Sequence, residues 1–373
     1  MHVGLNLVYL VPGETGGMEV VARELLPALV AAAPEVRFTA FVNQEAAEVG
    51  DGPWSELVTA VTVPVRARNR VEWVRGEQQL LPRLAARAGV DVVHSLASTA
   101  PVWGAFRRVV TVHDLIYRLH PEAHAGFRAW GMRALVPLGV RRSHRVTVDS
   151  VSTRDDLVEH LHVPAEKVDV VALGVGTSRS PAAPEAEVRA RYELGTRAVA
   201  LTVSAKRPHK NLMRLLEALA LVPSNVRPLL VLPGYPTEHE EELRGHARSL
   251  GVDPDTRFLP WLPAAHLEAL YALSSCFVFP SLYEGFGLPI LEAMARGLPV
   301  ACSDRPVLAE VAGAAALRFD PESPRAIAAT LTRLLEDGSE RERRRRAGLE
   351  QAQRFSWERT ARGMVRCYER ALS

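Results

Sequence analysis

The chain has 373 residues, of which 47% are hydrophobic and 24% are charged. These fractions are typical of globular proteins, and the length exceeds what one hydrophobic core usually holds, so we expect two domains of similar size. Lysine and arginine number 45 against 43 aspartate and glutamate residues. This balance excludes the strongly basic surface that would indicate a nucleic-acid partner.

The sequence contains no apolar run long enough to span a bilayer and no basic, cleavable leader at its N-terminus, which predicts a cytoplasmic protein without a transmembrane segment. Its three cysteines, Cys276, Cys302 and Cys367, are widely spaced, and two of them lie within apolar segments. This spacing predicts neither a disulfide framework nor a zinc site, and it suits a reducing compartment.

Short β-branched runs alternate with amphipathic stretches through the first half of the chain. Strands are predicted near residues 3–10, 36–42, 91–94, 108–112 and 145–149, and helices near 18–31, 72–87, 126–141 and 151–161. Such alternation is typical of an open parallel sheet with helices on both faces.

A stretch rich in glycine, serine and proline, residues 174–196, interrupts this pattern and is predicted to be a linker that carries one short helix. A second alternation follows, with strands predicted near 198–203, 228–233, 276–280, 298–302 and 315–319. Residues 355–373 form a terminal amphipathic helix that we expect to cross back to the first domain. The predicted organisation is therefore a domain of residues 1–173, a linker, a domain of residues 197–354 and this helix.

The predicted fold class is α/β, with two doubly wound, Rossmann-like domains that face each other across a cleft. Ligands of open α/β sheets bind outside the carboxyl ends of the strands. Candidate functional residues are therefore sought in the loops that follow strands.

The most informative segment is YEGFGLPILEA, residues 283–293, which follows a predicted strand and opens a helix. Pro289 suits the first turn of that helix and Gly297 suits its end. Unpaired amides at the helix N-terminus favour an anion or a polar sugar; they belong to Gly285, Phe286, Gly287 and Leu288.

Glu284 precedes this turn and Glu292 lies inside the helix. Carboxylates in such positions can accept paired hydrogen bonds from the vicinal hydroxyls of a hexose or a ribose. The alternative is a tight strand-to-helix turn whose acidic residues only favour the helix dipole.

Lysine occurs at three positions in the chain, and Lys206 and Lys210 lie within five residues of each other in the loop VSAKRPHKN. This clustering marks a candidate binding site, and the alternative is a solvated basic loop. A second glycine-containing loop, with Gly16 and Gly17, precedes a helix predicted to start near Met18, and its amides could approach a phosphate or an acceptor. It lacks G-x-G-x-x-G spacing, which argues against a dinucleotide-binding domain.

Polar residues also occur at other predicted strand ends. His113 and Asp114 end the strand RVVTVHD and are predicted to project toward the ligand. His94, Ser95 and Ser150 occupy comparable positions, and contact with an acceptor is the role we consider for them.

The segment SLYEGFGLPILEAMARGLPVACS resembles the donor-site signature of family 4 glycosyltransferases, which has two glutamates separated by seven residues. The resemblance extends over most of the chain and implies a GT-B fold and a retaining reaction. It implies that Glu284 contacts the donor sugar and Glu292 the ribose. The amides of residues 285–288 would line the sugar and the phosphates.

The loop VSAKRPHKN resembles the family loop that supplies a basic pair to the donor diphosphate, and Lys210 falls on the family lysine. The usual Gly-Arg or Gly-Thr dipeptide is replaced here by Ser204 and Ala205, so Lys206 or Arg207 is predicted to supply the second charge. His113 resembles the active-site histidine of the family, which implies contact with the transferred sugar. The resemblance thus assigns catalytic roles to His113, Glu284 and Lys210.

These inferences predict a retaining, metal-independent hexosyltransferase that uses a UDP-, GDP- or dTDP-sugar and no further cofactor. The acceptor would be a hydroxyl of a polysaccharide, a lipid or a secondary metabolite, and peripheral contact with a membrane is compatible with a lipid acceptor. The alternatives are a sugar-nucleotide epimerase and a binding module without turnover on the same fold. A phosphorylase is disfavoured because none of the three lysines is evidently placed to bind pyridoxal phosphate.

Overall fold

The computed structural model describes residues 1–50, 52–120, 127–176 and 180–373, without the side chains of residues 127–130. It divides into two units, one formed by residues 1–174 together with 355–373 and the other by residues 175–354. Residue 126, the predicted start of one helix, and residues 177–179 of the predicted linker lie outside the described residues.

The first unit is built on seven parallel strands. In chain order they are β1 (His2–Leu7), β2 (Arg37–Val42), β3 (Thr59–Thr62), β4 (Val92–Ser95), β5 (Arg107–Val112), β6 (Arg145–Val148) and β7 (Val168–Val170). Their order across the sheet is β3-β2-β1-β4-β5-β6-β7. Strands β3 and β7 were not predicted, because each has only three or four residues and their exposed positions weaken the apolar signal.

Helices connect these strands. They are α1 (Gly17–Ala32), α2 (Gln44–Val49), α3 (Pro53–Glu56), α4 (Arg70–Arg75), α5 (Leu81–Ala88), α6 (Ile116–Leu119), α7 (Phe127–Arg142) and α8 (Val151–Leu161). A π-helical turn, Gly76–Leu80, joins α4 to α5, so the single helix predicted for 72–87 is interrupted rather than regular.

The second unit has six parallel strands. They are β8 (Val199–Leu201), β9 (Leu229–Pro233), β10 (Thr256–Leu259), β11 (Cys276–Phe279), β12 (Val300–Ser303) and β13 (Leu317–Phe319), in the sheet order β10-β9-β8-β11-β12-β13. The predicted class of two doubly wound α/β domains is therefore confirmed.

The helices of the second unit begin within the predicted linker. They are α9 (Glu185–Arg191), α10 (Leu212–Leu221), α11 (His239–Ser249), α12 (Ala264–Leu273), α13 (Leu288–Ala295), α14 (Pro306–Ala312), α15 (Pro324–Glu336) and α16 (Gly338–Ala352). Helix α9 packs on α12, and the Tyr192 hydroxyl lies 2.6 Å from His266 Nδ1. The part of the predicted linker that contains α9 is thus packed against the second unit.

Both sheets reverse their strand order at the first strand of the unit. Strand β1 lies between β2 and β4, and β8 lies between β9 and β11. At such a point the two flanking connections leave in opposite directions and open a crevice at the carboxyl edge, where α/β proteins bind ligands. The loops after β1, β8 and β11 carry most of the predicted site residues.

The last helix, α17 (Trp357–Leu372), belongs to the first unit, where it packs on α1 and on strands β4, β5 and β6. A Cβ added to Gly363 would approach Val171 Cγ1 to 2.7 Å, so the helix lies very close to the sheet edge. Asp169 accepts both Arg145 and Arg370, which joins β6, β7 and α17 through one buried carboxylate.

His94 lies in the interior beneath α17, and its predicted role in acceptor contact is wrong. Its Nδ1 is 2.8 Å from the Tyr368 hydroxyl and its Nε2 is 2.8 Å from Thr111 Oγ1. Burial lowers the pKa of His94 to about 3, so the ring is neutral at physiological pH. The histidine therefore connects the sheet to the terminal helix.

Replacing Tyr368 with phenylalanine should destabilise the first unit. The change leaves His94 Nδ1 buried without its partner, and an unsatisfied buried polar atom costs about 1 to 3 kcal/mol. Urea unfolding measures the loss. Tyr192→Phe is a matched control, because it removes a tyrosine–histidine bond that solvent can replace in a half-buried position. Equal losses in the two variants would contradict the importance of the buried bond.

Candidate functional site

The N-terminus of α13 begins in a turn that only glycine tolerates. Gly287 has a φ of +107°, and a Cβ there would approach Leu308 Cδ2 to 2.8 Å. Pro289 lies in the first turn of the helix, and Gly297 follows its end with a φ of +69°. The predicted helix start and end are thus confirmed. Pro289 has no N–H, and the Ile290 amide donates to the Gly287 carbonyl oxygen at 3.0 Å. The positive end of the α13 dipole at this turn favours an anion or a sugar oxygen.

Lys210 and Glu284, which were predicted separately, meet in the structure. Lys210 Nζ lies 2.6 Å from Glu284 Oε1, and the two side chains are only 16% and 13% exposed. Lys210 ends a short 3-10 turn after β8, whereas Glu284 follows β11, the neighbouring strand. The ion pair therefore spans the point where the strand order of this sheet reverses.

Asn211 holds these two loops together. Its φ of +58° is left-handed, a conformation that asparagine adopts more readily than most residues. Its Nδ2 donates to the carbonyl oxygens of Pro280, at 3.0 Å, and Pro321, at 2.8 Å. The backbone beside Lys210 is thereby fixed against the loops that follow β11 and β13. No role was predicted for Asn211 from the sequence.

Glu292 lies on α13 and is hydrogen-bonded on its inner side. The Tyr271 hydroxyl donates to Glu292 Oε2 at 3.1 Å, and Arg296 donates to the Glu292 carbonyl at 2.8 Å. Burial raises the pKa of Glu292 above its usual range, although Arg296 and the Tyr271 hydrogen bond oppose the shift. The carboxyl group is thus positioned by a neighbouring helix and desolvated, and it has remaining capacity to accept hydroxyl groups.

Lys206 does not lie where the sequence analysis expected it. Its Nζ donates to the carbonyl oxygens of Gly234, at 2.8 Å, and Leu259, at 2.6 Å, and its side chain is 0% exposed. Burial lowers the pKa of Lys206 to about 8, and Glu240 at 3.6 Å partly offsets this. In this position the ammonium group connects the loops after β8, β9 and β10, and it is not presented to a diphosphate. Of the two predicted substitutes, the half-buried Arg207 remains.

In the glycine-containing loop of the first unit, side chains form hydrogen bonds with the backbone of the same segment. Helix α1 begins at Gly17, one residue before the predicted start, after Gly16 with a φ of +62°. Thr15 Oγ1 exchanges hydrogen bonds with the Val11 backbone, and the Gly13 amide donates to Glu19 Oε2 at 2.7 Å. A Cβ on Gly17 would have no neighbour within 4 Å within its unit, so the backbone is open there.

His113 follows β5 and is held at both ring nitrogens. Nδ1 lies 2.6 Å from Asp149 Oδ2, and Nε2 lies 2.8 Å from the Leu96 carbonyl oxygen. Burial alone would lower the pKa of His113, but the charge and hydrogen bond of Asp149, with the Leu96 carbonyl, raise it to about 9. At neutral pH the ring is therefore an imidazolium that donates at both nitrogens.

Asp149 was missed as a site residue, although the sequence contained a signal for it. Val112 pairs with Val148 in the parallel register of β5 and β6, so the residues that follow each of them lie side by side. Asp149 ends the run VTVD, as His113 follows the run VVTV. Asp149 Oδ1 is buried and has no hydrogen-bond partner among the described residues. A polar pair at adjacent strand ends could have been predicted from this register.

The remaining strand-end residues have local structural roles. Asp114 Oδ1 accepts from the Ile116 amide and starts α6, and Ser150 Oγ accepts from the Thr153 amide and starts α8. Ser95 is buried and accepts from Asn6 Nδ2 at 3.0 Å. Acceptor contact by Ser95 is disfavoured because the residue is buried, and Ser150 acts as a helix cap.

The chain has one Asp-x-Asp pattern, Asp253-Pro254-Asp255, and its second aspartate is paired with two arginines. Asp255 pairs with Arg197 at 2.8 Å and with Arg227 at 3.2 Å. In the described ranges, no three histidine, cysteine, aspartate or glutamate side chains are grouped as a metal site would require. Within the same ranges, none of the helices combines the length and the apolar character needed to cross a bilayer.

Two protein-family models match the chain. The model described as "Glycosyltransferase Family 4" matches residues 15–179, and the model described as "Glycosyl transferases group 1" matches residues 185–351. The first match begins in the first unit and ends five residues past its boundary at residue 174. The second match lies within the second unit and covers Lys210, Glu284 and Glu292.

Curated relatives show the same family. O-antigen chain mannosyltransferase B of Escherichia coli is 33% identical over 267 residues, which cover 70% of each protein. The serotype-specific mannosyltransferase WbdA of Escherichia coli is 29% identical over 278 residues, which cover 72% of this chain but only 34% of WbdA. The chain thus spans about a third of the length of that larger relative.

Solved structures match over the whole chain. Sucrose-phosphate synthase from Thermosynechococcus elongatus aligns with a TM-score of 0.79 at 20% identity, and the alignment covers 99% of this chain and 98% of the synthase chain. Anabaena HepE, solved with UDP and glucose, aligns with a TM-score of 0.74 at 20% identity and covers 98% of each chain. These likenesses show the GT-B fold. With the family models and the mannosyltransferase relative, they establish that the chain is a glycosyltransferase and belongs to glycosyltransferase family 4.

Proposed function

We propose that this glycosyltransferase transfers a hexose from a nucleoside diphosphate sugar to an acceptor hydroxyl, with retention of the anomeric configuration. The observation that carries the proposal is the ion pair between Lys210 and Glu284 beside the N-terminus of α13, with Glu292 further along the same helix. A cation, a helix N-terminus and two carboxylates at one strand reversal match the charges and hydroxyls of such a donor.

The diphosphate would be bound by positive charge from two sources. The N-terminus of α13 offers the positive end of the helix dipole. Lys210 offers an ammonium group that lies 2.6 Å from Glu284 Oε1. A phosphate that approaches Lys210 would share this ammonium with Glu284, and Arg207 would supply the second side-chain charge.

The two carboxylates would bind the two sugars of the donor. Glu284 lies beside the turn that opens α13 and would accept hydroxyl groups of the transferred hexose. Glu292, positioned by the Tyr271 hydroxyl at 3.1 Å, would accept the ribose hydroxyls. Vicinal hydroxyls match the paired acceptor oxygens of a carboxylate, which accounts for the use of glutamate at both positions.

His113 would act as a hydrogen-bond donor in the same reaction. Because Asp149 holds Nδ1 at 2.6 Å, the Nε2–H is the group that can reach a substrate. This N–H donates to the Leu96 carbonyl oxygen at 2.8 Å, and a hydroxyl of the sugar would replace that acceptor. A ring that is protonated at both nitrogens cannot accept a proton, so His113 would not be a general base.

The transfer breaks the bond between the anomeric carbon and the phosphate oxygen, and the electron pair leaves with the nucleoside diphosphate. The acceptor oxygen forms its new bond on the same face of the sugar, and its proton passes to the departing phosphate. Positioning and electrostatic stabilisation by the protein would carry most of the catalysis. We propose that no metal ion is needed, because Lys210, Arg207 and the amides of α13 supply the charge.

The acceptor would be a hydroxyl of a polysaccharide, a lipid or a secondary metabolite. Because one relative is named an O-antigen chain mannosyltransferase, a mannosyl donor is the first to test. A sugar-nucleotide epimerase would interconvert the donor without releasing nucleoside diphosphate, and a binding module would leave the donor unchanged.

Glu284→Gln should abolish turnover and leave the affinity for nucleoside diphosphate unchanged or higher, because it removes the partner that competes with phosphate for Lys210. Glu292→Gln should instead weaken nucleoside diphosphate binding, because the ribose loses its acceptor. UDP, GDP and dTDP sugars identify the donor through release of nucleoside diphosphate, and NMR of the product reports the anomeric configuration. Calorimetric titration of the matching nucleoside diphosphate then compares the variants.

Glu336→Gln, an exposed glutamate at the end of α15, is the control and should match the wild-type enzyme. Equal loss of nucleoside diphosphate affinity in Glu284→Gln and Glu292→Gln would refute the separate assignment of hexose and ribose. Donor turnover without release of nucleoside diphosphate would refute glycosyl transfer.

The basic loop gives a second prediction. Lys210→Ala and Arg207→Ala should weaken donor binding, since a charge-assisted contact to phosphate is worth about 1.5 to 3 kcal/mol. Lys206→Met should lower the melting temperature by uncoupling three loops, with a smaller effect on donor affinity. Titrations at fixed ionic strength, with and without chelator, and thermal unfolding test this. Normal donor affinity in Arg207→Ala would show that the second charge lies elsewhere.

Asp149→Asn should change the pH dependence of kcat/KM. The folded pKa of His113 is about 9, above the unfolded value of about 6.5, so the imidazolium persists at neutral pH and is lost as pH rises through 9. Without the Asp149 charge, burial dominates and the alkaline fall in activity should move to lower pH by roughly one unit or more. The exposed Asp155→Asn should leave the profile unchanged. An unshifted profile in Asp149→Asn would contradict a positioning role.

A further inference from the structure

The second unit contains a cavity of about 860 Å³ on the side of the sheet opposite to Lys210 and Glu284. Residues that come immediately before strands line it: Ala198 before β8, Ser275 before β11 and Pro299 before β12. The remaining walls come from the loop before β9, the ends of α12, α13 and α15, and one face of α16. The cavity therefore lies at the amino edge of the sheet, whereas the proposed donor site lies at the carboxyl edge.

Guanidinium groups dominate the wall of this cavity. Five arginines line it: Arg197, Arg227, Arg296, Arg341 and Arg345. Within the described parts of the chain they pair with three carboxylates: Asp255 serves two arginines, Glu268 serves Arg296 and Glu342 serves Arg345. Of these three carboxylates only Glu342 lines the cavity itself. The cavity therefore has an excess of positive charge.

Arg341 is the arginine whose charge is least compensated. One of its amino groups donates to the carbonyl oxygens of Leu334 and Leu335 at the end of α15, at 3.1 Å and 2.5 Å. Among the described residues no carboxylate lies within ion-pair distance of Arg341, and its Nε and second amino group make no hydrogen bond. The side chain is thus anchored at a helix end with donor groups left for a ligand.

We propose that this cavity binds a small phosphate-bearing anion with at least two negative charges, such as a pyrophosphate group or a phosphorylated metabolite. Guanidinium groups donate paired hydrogen bonds that match the oxygens of a phosphate. The volume lies within the 300 to 1,000 Å³ or so that is usual for small-molecule sites. Ser224, Asn225 and Ser275 add polar groups to the wall. A phospholipid headgroup has the same phosphate chemistry, and the experiment below distinguishes it from the small anion.

The cavity is joined to α13 and to Glu292. Tyr271 lines the cavity, and its hydroxyl donates to Glu292 Oε2. Arg296 also lines the cavity, lies 4.7 Å from the Tyr271 ring centroid, and donates to the Glu292 carbonyl. An anion that draws Arg296 away from Glu268 would thus act on the same helix that carries the proposed ribose ligand. Binding in the cavity does not depend on the proposed donor chemistry.

Arginine footprinting of the full chain with phenylglyoxal tests the proposal. Inorganic pyrophosphate should protect Arg341 and Arg345 from modification, as mass spectrometry of peptides would show. The same protection should persist in Lys210→Ala, which removes the main cation of the donor site. If the protection is lost in Lys210→Ala, pyrophosphate binds at the donor site only. That outcome would overturn the proposal for the cavity and leave the proposed function unaffected.

Direct titration of pyrophosphate gives the second readout. The double variant Arg341→Gln, Arg345→Gln, made in the Lys210→Ala background, should bind pyrophosphate at least tenfold more weakly than Lys210→Ala alone. The matched control is Arg346→Gln, a more exposed arginine of the same helix that does not line the cavity, and it should stay within twofold. Equal binding in all three proteins would overturn the proposal. Protection by phosphatidylglycerol vesicles but not by pyrophosphate would do so as well.

Discussion

The constraint on which the rest of this molecule depends is the reversal of strand order at the first strand of each sheet. Because β8 lies between β9 and β11, the loops after β8 and β11 leave the sheet side by side. Lys210 and Glu284 are 74 residues apart in the chain and nevertheless form an ion pair there. Helix α13 can begin beside them only because Gly287 adopts a backbone conformation closed to other residues. The topology thus sets where opposite charges meet, and the glycine determines how closely a helix end approaches them.

Buried ionisable groups of the molecule differ in their roles because their hydrogen-bond and charge partners differ. His94 lies on β4 and His113 follows the neighbouring strand β5, but His94 loses its charge to burial and His113 keeps its charge. The difference is Asp149, which lies beside His113, whereas hydroxyl groups surround His94. Lys206 and Lys210, four residues apart, also differ in their partners. Carbonyl oxygens surround the first, and a carboxylate faces the second.

Much of the fold and the core of the candidate site followed from the sequence. Hydrophobic alternation predicted both parallel sheets, and the Gly-Leu-Pro turn predicted where α13 begins. The errors have physical causes. Strands β3 and β7 are short and partly exposed, so their apolar signal is weak. Lys206 could not be distinguished from Lys210 because both are lysines in one loop. Their environments differ through Gly234, Leu259 and Glu240, which are distant in sequence.

The main features that the sequence did not predict are the partners that come from another strand or helix. Asp149 became visible only when the register of β5 and β6 was known, and Tyr368 reaches His94 from 274 residues away. Asn211 was quoted only as part of its loop because asparagine is common in loops, and its bonds to two carbonyl groups depend on tertiary structure. A sequence pattern identifies which side chains carry chemistry more readily than it identifies the neighbours that tune them.

The placement of α17 on the first unit makes that unit discontinuous, with the whole second unit inserted before its last helix. During synthesis on the ribosome, residues 175–354 emerge before α17 exists, so the second unit can complete its folding first. Until α17 is made, strands β4, β5 and β6 lack the helix that packs on them, and His94 lacks the Tyr368 hydroxyl. A truncation before α17 would therefore remove contacts of the first unit, although the missing residues follow the second unit in the chain.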